Sequence, residues 1–460
     1  MAEYTIPIGL LGKTESASNA NRAGNRKWRT ESQHLWNYLR RDMRDATEER
    51  KKRFPRTYDR HVMRTVPLVY RLARELATLY IRPPSRTFEG DNITETTERT
   101  IAVMMDRIGI NSALRSAQEQ LVAIGNATVW VFPVPETGGV RLLVPPVHDQ
   151  SVVMSEPTGN GIEDVECWYL RLPVGEDTAT GIVSWGVAAI SRDRAYWASA
   201  PSDLQGKGLW NEEGTNPLGR IPVAHLRSTE PDAGTVWSPC PSDLLQAQRA
   251  INDAMTDLGL VASMQSHGQP IIRGLPQATA SEMELGPETI IGLPDSDSDF
   301  AFAKASPDLK GYLDISNNYI ETIVSTNGLN PQTIMKSSGI TAVAKQVELH
   351  DRSIERIRTQ GSFESAENQI YSCVADWVNN QGGVEILPPA FVRVDWREVS
   401  MPGDPLHEAQ RIERLVQLGI TTSAQQLARF EGISLESAKA KVAQNIEETR
   451  KNREALKTDD

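Results

Sequence analysis

The stretch from Pro239 to Asn379 constrains this chain more than any other. Two helix-patterned segments flank a short insert punctuated by Gly and Pro, and a polar loop then opens into a very long helical pattern. Such an arrangement describes pillars and a loop rather than a catalytic pocket. Pro239 and Pro241 stop any earlier element, Ser242 is a good N-cap, and Asp243 sits in the first turn, where a carboxylate favours the helix dipole. Apolar residues recur at Leu244, Ala247, Ile251, Ala254, Met255, Leu258 and Met264, and Gln248, Arg249, Asn252, Asp253 and Asp257 between them read as one wet face. This first pillar should end near Gly268 and Pro270, and at about 1.5 Å rise per residue it spans roughly 35 to 40 Å. Gly259 is its weak point.

The insert holds three short β-type runs, 270–276, 288–294 and 300–303, separated by turn residues. A piece this small carries no core of its own and should pair with something else, such as a neighbouring subunit. It leans acidic, with Glu282, Glu284, Glu288, Asp295, Asp297 and Asp299 against Arg273 and Lys304. The alternation from Asp295 to Asp299 suggests a calcium-loop fragment, but the sixth-position Gly and distal Glu of an EF-hand are missing, so it reads as a solvated acidic turn.

The second pillar has a clean start in Ser306, Pro307 and Asp308. Leu309, Tyr312, Leu313, Tyr319, Ile320, Ile323 and Val324 mark one face, and Gly328 with Pro331 ends it. The loop that follows offers Asn330, Gln332, Thr333, Ser337, Ser338 and one cation, Lys336. In the long helix after it, Ile340, Val343, Val347, His350, Ile354 and Ile357 form a stripe, and a second restarts at Phe363, Ala366, Ile370, Cys373, Val374 and Trp377. Both stripes read as core packing. The phase breaks at Gly361, where a kink is most easily made. Lys345, Glu348, Asp351, Arg352, Glu355, Arg356, Arg358 and Glu364 read as a solvated face.

The order of helix, small β insert, helix, Gly/Pro loop, Ser-Ser-Gly and long kinked helix resembles the portal protein of tailed bacteriophages, the ring at one vertex of the capsid. Upstream, the run from Val66 to Pro84 is similar to the early portal helix. Leu121 to Pro133 resembles the helix, glycine and strand that follow it, and Gly219 to His225 the strand before the first pillar. The resemblance covers roughly residues 60 to 400 through order and spacing, without an invariant motif. It implies a mainly helical, multidomain α+β fold with a wing (1–238), stem helices (239–268 and 305–328) and a clip (269–304). A tunnel loop (329–339), a long kinked helix (340–379), wing return strands (380–402) and a crown with a charged tail (403–460) complete it. The implied assembly is a ring, a dodecamer in the family. Gln332, Lys336, Ser337 and Ser338 would face double-stranded DNA, and the clip residues Arg273, Glu282, Glu284, Glu288, Asp295, Asp297 and Asp299 would meet partners. Those partners are the large subunit of a separate terminase motor and a head–tail adaptor, with the major capsid protein and a scaffold elsewhere.

Composition agrees. At 460 residues the chain has a sizeable core available without disulfides or metals, and Cys167, Cys240 and Cys373 are isolated, which reads as reduced thiols in a host cytoplasm before incorporation into a virion. No secretory signal is evident, and no stretch approaches the ~20 apolar residues that span a bilayer. A net charge of −11 argues against gripping DNA over the whole surface, yet suits a conduit whose walls must release phosphates. The exception is the basic cluster from Arg40 to Arg64, read either as a contact to DNA, scaffold or shell, or as an exposed mixed-charge helix and turn. Trp28, Leu35, Trp36 and Leu39 just before it read as core.

Residues 127–235 have the texture of short strands and turns: 127–132, 140–144, 165–172, 182–187 and 194–197, with 384–389 and 391–396 as returning strands. The last segment is helical from Asp404, with Gly419 and Gly432 as stops. Its short helices suggest a helix-turn-helix, but Glu431, Glu436, Glu447 and Glu448 would oppose phosphate. The seven histidines are scattered without HxxxH or HxH spacing, and GxSxG, GxxxxGK[ST] and GxGxxG are all lacking. No enzyme, cofactor or metal is therefore expected. The alternatives to a portal are a minor capsid or adaptor protein without a channel, and a nucleic-acid-binding regulator.

Overall fold

Caps and glycines set where the helices begin and end. The computed structural model describes residues 22–53, 63–91, 93–135, 137–155, 159, 161–177, 182–198, 207–232, 234–267, 269–273, 299–303, 309–329, 342–382, 387–396, 405–431 and 435–457. The chain divides into two compact units, Met1–Val394 and Asp395–Asp460.

The first unit opens with α1 (Arg22–Leu39), α2 (Arg44–Arg53), α3 (Leu68–Leu76), β1 (Ser85–Glu89), α4 (Glu95–Arg107) and α5 (Ile110–Ile124). Thr94 caps α4, its hydroxyl accepting from Thr97 N at 3.2 Å, with Glu95 and Glu98 in the first turn. Gly125 ends α5 at φ 81°, and a Cβ there would lie 3.0 Å from both Pro239 O and Ser228 Oγ. Only glycine fits that turn from helix into strand.

The strands β2 (Asn126–Val134), β3 (Gly139–Leu143), β4 (Gln150–Met154), β5 (Val165–Asp177), β6 (Ile182–Ser191), β7 (Ala195–Ala198), β8 (Lys207–Gly208) and β9 (Val223–Arg227) follow. They form two antiparallel sheets, ordered β3-β2-β9 and β4-β5-β6-β7-β8. The short strand runs foreseen here are present, and β4 and β8 are additions. Between sheets and helices lies a core built around Trp130, Trp168, Trp237, Leu35, Leu72 and Ile124. Trp168 meets Trp130 and Trp237 edge-on at 5.6 and 5.4 Å, and Trp28 stacks on Trp237 at 4.9 Å. Gln150 Oε1 accepts from both Trp130 Nε1 (3.3 Å) and Trp168 Nε1 (3.0 Å), so neither buried indole is left unpaired.

Next come α6 (Ser242–His267), β10 (Gln269–Arg273), β11 (Asp299–Ala303), α7 (Leu309–Thr326), α8 (Ala342–Gly382) and β12 (Phe391–Asp395), which pairs with β1. Of the return strands, β12 is present, whereas 387–389 carry no strand and 383–386 lie outside the described residues. The second unit contains α9 (Pro405–Gln417), α10 (Ser423–Glu431) and α11 (Leu435–Lys457). A reciprocal capping box starts α10: Thr422 Oγ1 accepts from Gln425 N at 3.2 Å and Gln425 Oε1 accepts from Thr422 N at 2.9 Å.

Candidate assembly surface

The first half of α6 is fastened to residues 64–67 and to the first turn of α3 by side chains on three successive turns. Gln248 Oε1 accepts from Val69 N (3.1 Å) while its Nε2 donates to Val66 O (2.7 Å). One turn on, Asn252 Oδ1 accepts from Val66 N (3.0 Å), and Thr256 Oγ1 accepts from Arg64 N (3.0 Å). Gln248 and Asn252 are fully buried, so the wet face expected of α6 is corrected at these two positions, while Asp257 is exposed. The two buried amides serve the backbone groups of Val66 and Val69. Arg50 from α2 pairs with Asp253 and, at 2.5 Å, with Asp257, and Arg249 pairs with Glu49 at 3.2 Å. Part of the basic cluster is thus spent inside the protomer.

After α6 the chain continues into a two-stranded ribbon. β10 and β11 pair antiparallel with each other, and Arg273 is the register partner of Asp299. The remaining docking candidates Glu282, Glu284, Glu288, Asp295 and Asp297 lie outside the described residues, as do the loop residues Gln332, Lys336, Ser337 and Ser338.

On α7 only the end nearest the core is covered. Ile323 and Val324 are buried, whereas Leu313, Ile315 (70% exposed) and Tyr319 are open to solvent. α8 divides the same way. Ile354 and Ile357 (65% exposed) of its first stripe are uncovered, while Phe363, Ala366, Ile370, Cys373, Val374 and Trp377 are buried. Core packing of the first stripe is therefore corrected at Ile354 and Ile357, whose side chains are exposed. The helix is continuous through Gly361, where a Cβ would meet nothing within 4 Å.

The buried half of α8 is held by a second set of clamps. Asn368 Oδ1 accepts from Val392 N (2.7 Å) and its Nδ2 donates to Val392 O (2.9 Å), and Asn379 treats Leu387 likewise, both bonds at 2.9 Å. Glu364, assigned to a solvated face, instead accepts from Val394 N at 3.1 Å. The fully buried Glu367 accepts from Tyr80 Oη (2.8 Å), Arg86 Nε (2.5 Å) and Arg86 Nη2 (2.9 Å). Sequence periodicity marks none of these roles, since an amide or acid on a helix reads as surface.

Desolvation pushes the thiols of Cys167, Cys240 and Cys373 up to about 12, so they are inert as nucleophiles. Among the described residues no group of three or more His, Cys, Asp or Glu stands ready to hold a metal, and no helix is long and apolar enough to cross a membrane.

Long helices held at one end thus leave apolar side chains such as Ile315 and Ile357 exposed. No protein-family model and no curated protein matches the chain. Among solved structures it is similar to a chain of the virion of a native gene transfer agent particle, at 13% identity, 80% coverage of this chain, 91% of that chain and a TM-score of 0.41. It is also similar to chains of the neck of such particles. For the empty particle computed with C6 symmetry the identity is 13%, the coverages 80% and 91% and the TM-score 0.43. For the native particle computed with C12 symmetry they are 12%, 80%, 90% and 0.41. At such TM-scores neither fold nor function follows from the likeness.

Proposed function

We propose that the chain is a portal protein: copies close into a ring that forms a channel for double-stranded DNA at one vertex of a phage-like particle. The carrying observation is a set of solvent-open apolar side chains, Leu313, Ile315 and Tyr319 on α7 and Ile354 and Ile357 on α8. Isolated exposed apolar residues are ordinary, but runs of them on long helices clamped only at their far ends call for a neighbour. A ring supplies one by repetition, since a heterologous contact that closes by rotation covers each copy with the next. The order of elements and the portal resemblance support the same reading.

In this ring α6 and α7 are the stem, β10 and β11 the clip offered to the packaging motor and later the head–tail connector, and residues 329–339 the loop toward DNA. Lys336 with Gln332, Ser337 and Ser338 would make weak phosphate contacts that break easily. The role is non-enzymatic, with ATP hydrolysis left to a separate motor, and the destination is the virion. Negative-stain imaging of the purified chain tests the reading: rings with an axial hole are expected, and monomers or dimers at high concentration would overturn it.

A further inference from the structure

Three helices of this chain end in the same hydrogen-bonded turn, and one of them uses the wrong residue. At the end of α7, Leu329 N donates to Val324 O (3.1 Å) and Gly328 N to Ser325 O (3.0 Å), with Gly328 at φ 73°. At the end of α9, Ile420 N donates to Leu415 O and Gly419 N to Val416 O, both 3.1 Å, with Gly419 at φ 70°. α1 repeats the pattern: Asp42 N donates to Asn37 O (2.7 Å) and Arg41 N to Tyr38 O (3.1 Å). Here the left-handed position is Arg41, at φ 61°, the one non-glycine residue with positive φ among the described residues. Glycine avoids the Cβ clash in this conformation, so arginine holds the position under backbone strain.

The strained residue places its guanidinium 5.2 Å from the centre of the Tyr70 ring, and Arg74 approaches the same ring at 5.4 Å while donating from Nη1 to Tyr70 Oη at 2.7 Å. Arg40 lies 5.4 Å from the Trp36 ring. All three arginines are exposed, and so is Arg71, one turn before Arg74 on α3. Of the nearby acids, Asp42 accepts from Arg44, Asp45 accepts from Asn37 and Glu119 pairs with Arg115, while Glu75 and Glu119 also favour the charged form of Arg74. A cationic surface survives on a chain of net charge −11. It is made of planar guanidiniums held on aromatic rings, which pre-orients forks for bidentate phosphate contact.

We infer that Arg40, Arg41 and Arg74, organised on Trp36 and Tyr70, form a sequence-independent contact for the phosphate backbone of duplex DNA, separate from the loop assigned to the channel. Ring formation is not required for it. The test is binding of a short mixed-sequence duplex to the full-length chain across a salt series, alongside thermal unfolding, for the wild type, Arg41→Gly and the double variant Arg41→Gly/Arg74→Gln. Binding should weaken several-fold in the single variant and further in the double, with the slope of log K against log salt falling by about 0.9 for each cation removed. Arg41→Gly should meanwhile unfold at the same or a higher temperature, because glycine relieves the turn. A purely structural arginine moves stability alone. Undiminished binding and an unchanged salt slope in the double variant would overturn the inference, as would a patch that binds polyglutamate and leaves the duplex unbound.

Discussion

His225 has Trp168 and Trp237 edge-on to its ring at 5.7 and 5.1 Å, and full burial with Arg227 nearby holds its pKa down at about 3. Burial, with Arg29 and Arg171 facing it, lowers His148 to about 4. Both rings therefore stay neutral in the fold, whereas an unfolded chain protonates them near 6.5. Below that value the unfolded state binds more protons than the folded one. The neutral-ring stability is fully present above about pH 6.5 and falls as the pH drops toward 4 and then 3, by about 1.4 kcal/mol per pH unit for each histidine. Urea denaturation between pH 7 and 5 is expected to show this decline, with His225→Phe flattening it. Such environments are invisible in sequence. His225 could be read only as a lone histidine in a strand, because Trp168 and Trp237 reach it from elsewhere in the chain.

The elements themselves were mostly legible. Ser242 and Asp243 announced α6, Gly328 stopped α7, and the alternating runs named the main strands, since caps and periodicity act locally. What sequence misread was which polar residues face inward. Asn126, Asn368 and Asn379 each grip both backbone groups of one distant residue, Ser238, Val392 and Leu387 respectively, and Gln248 and Asn252 do comparable work on residues 66–69. A side-chain amide presents the same donor and acceptor as a peptide group, so it substitutes for a strand neighbour at a single point. Replacing Asn252 with Leu orphans the part-buried Val66 N–H, and a loss of about 1 to 3 kcal/mol in urea-unfolding stability is expected. Hydrogen exchange at Val66 should quicken beyond that at β2, which separates local opening from a general loss.

For the molecule as a whole, the uncovered apolar side chains give the proposed assembly its test. Ile315→Asp removes an exposed apolar group and should shift the unfolding free energy of the isolated protomer by no more than about 0.5 kcal/mol. In a ring the same carboxylate would be buried without a partner, so the variant should remain monomeric by light scattering where the wild type assembles. The docking and loop residues chosen from sequence remain proposals for that assembly, with only Arg273 and Asp299 placed on described strands. Gln248, Asn252 and Thr256 occupy successive turns of α6 and bind one stretch of chain running beside it. A pull along the helix axis therefore loads all three fastenings together in shear, and slippage by a single residue would break them at once. Pressure transmitted down α6 meets a joint that stays rigid up to a threshold and then yields abruptly, as a shear pin does.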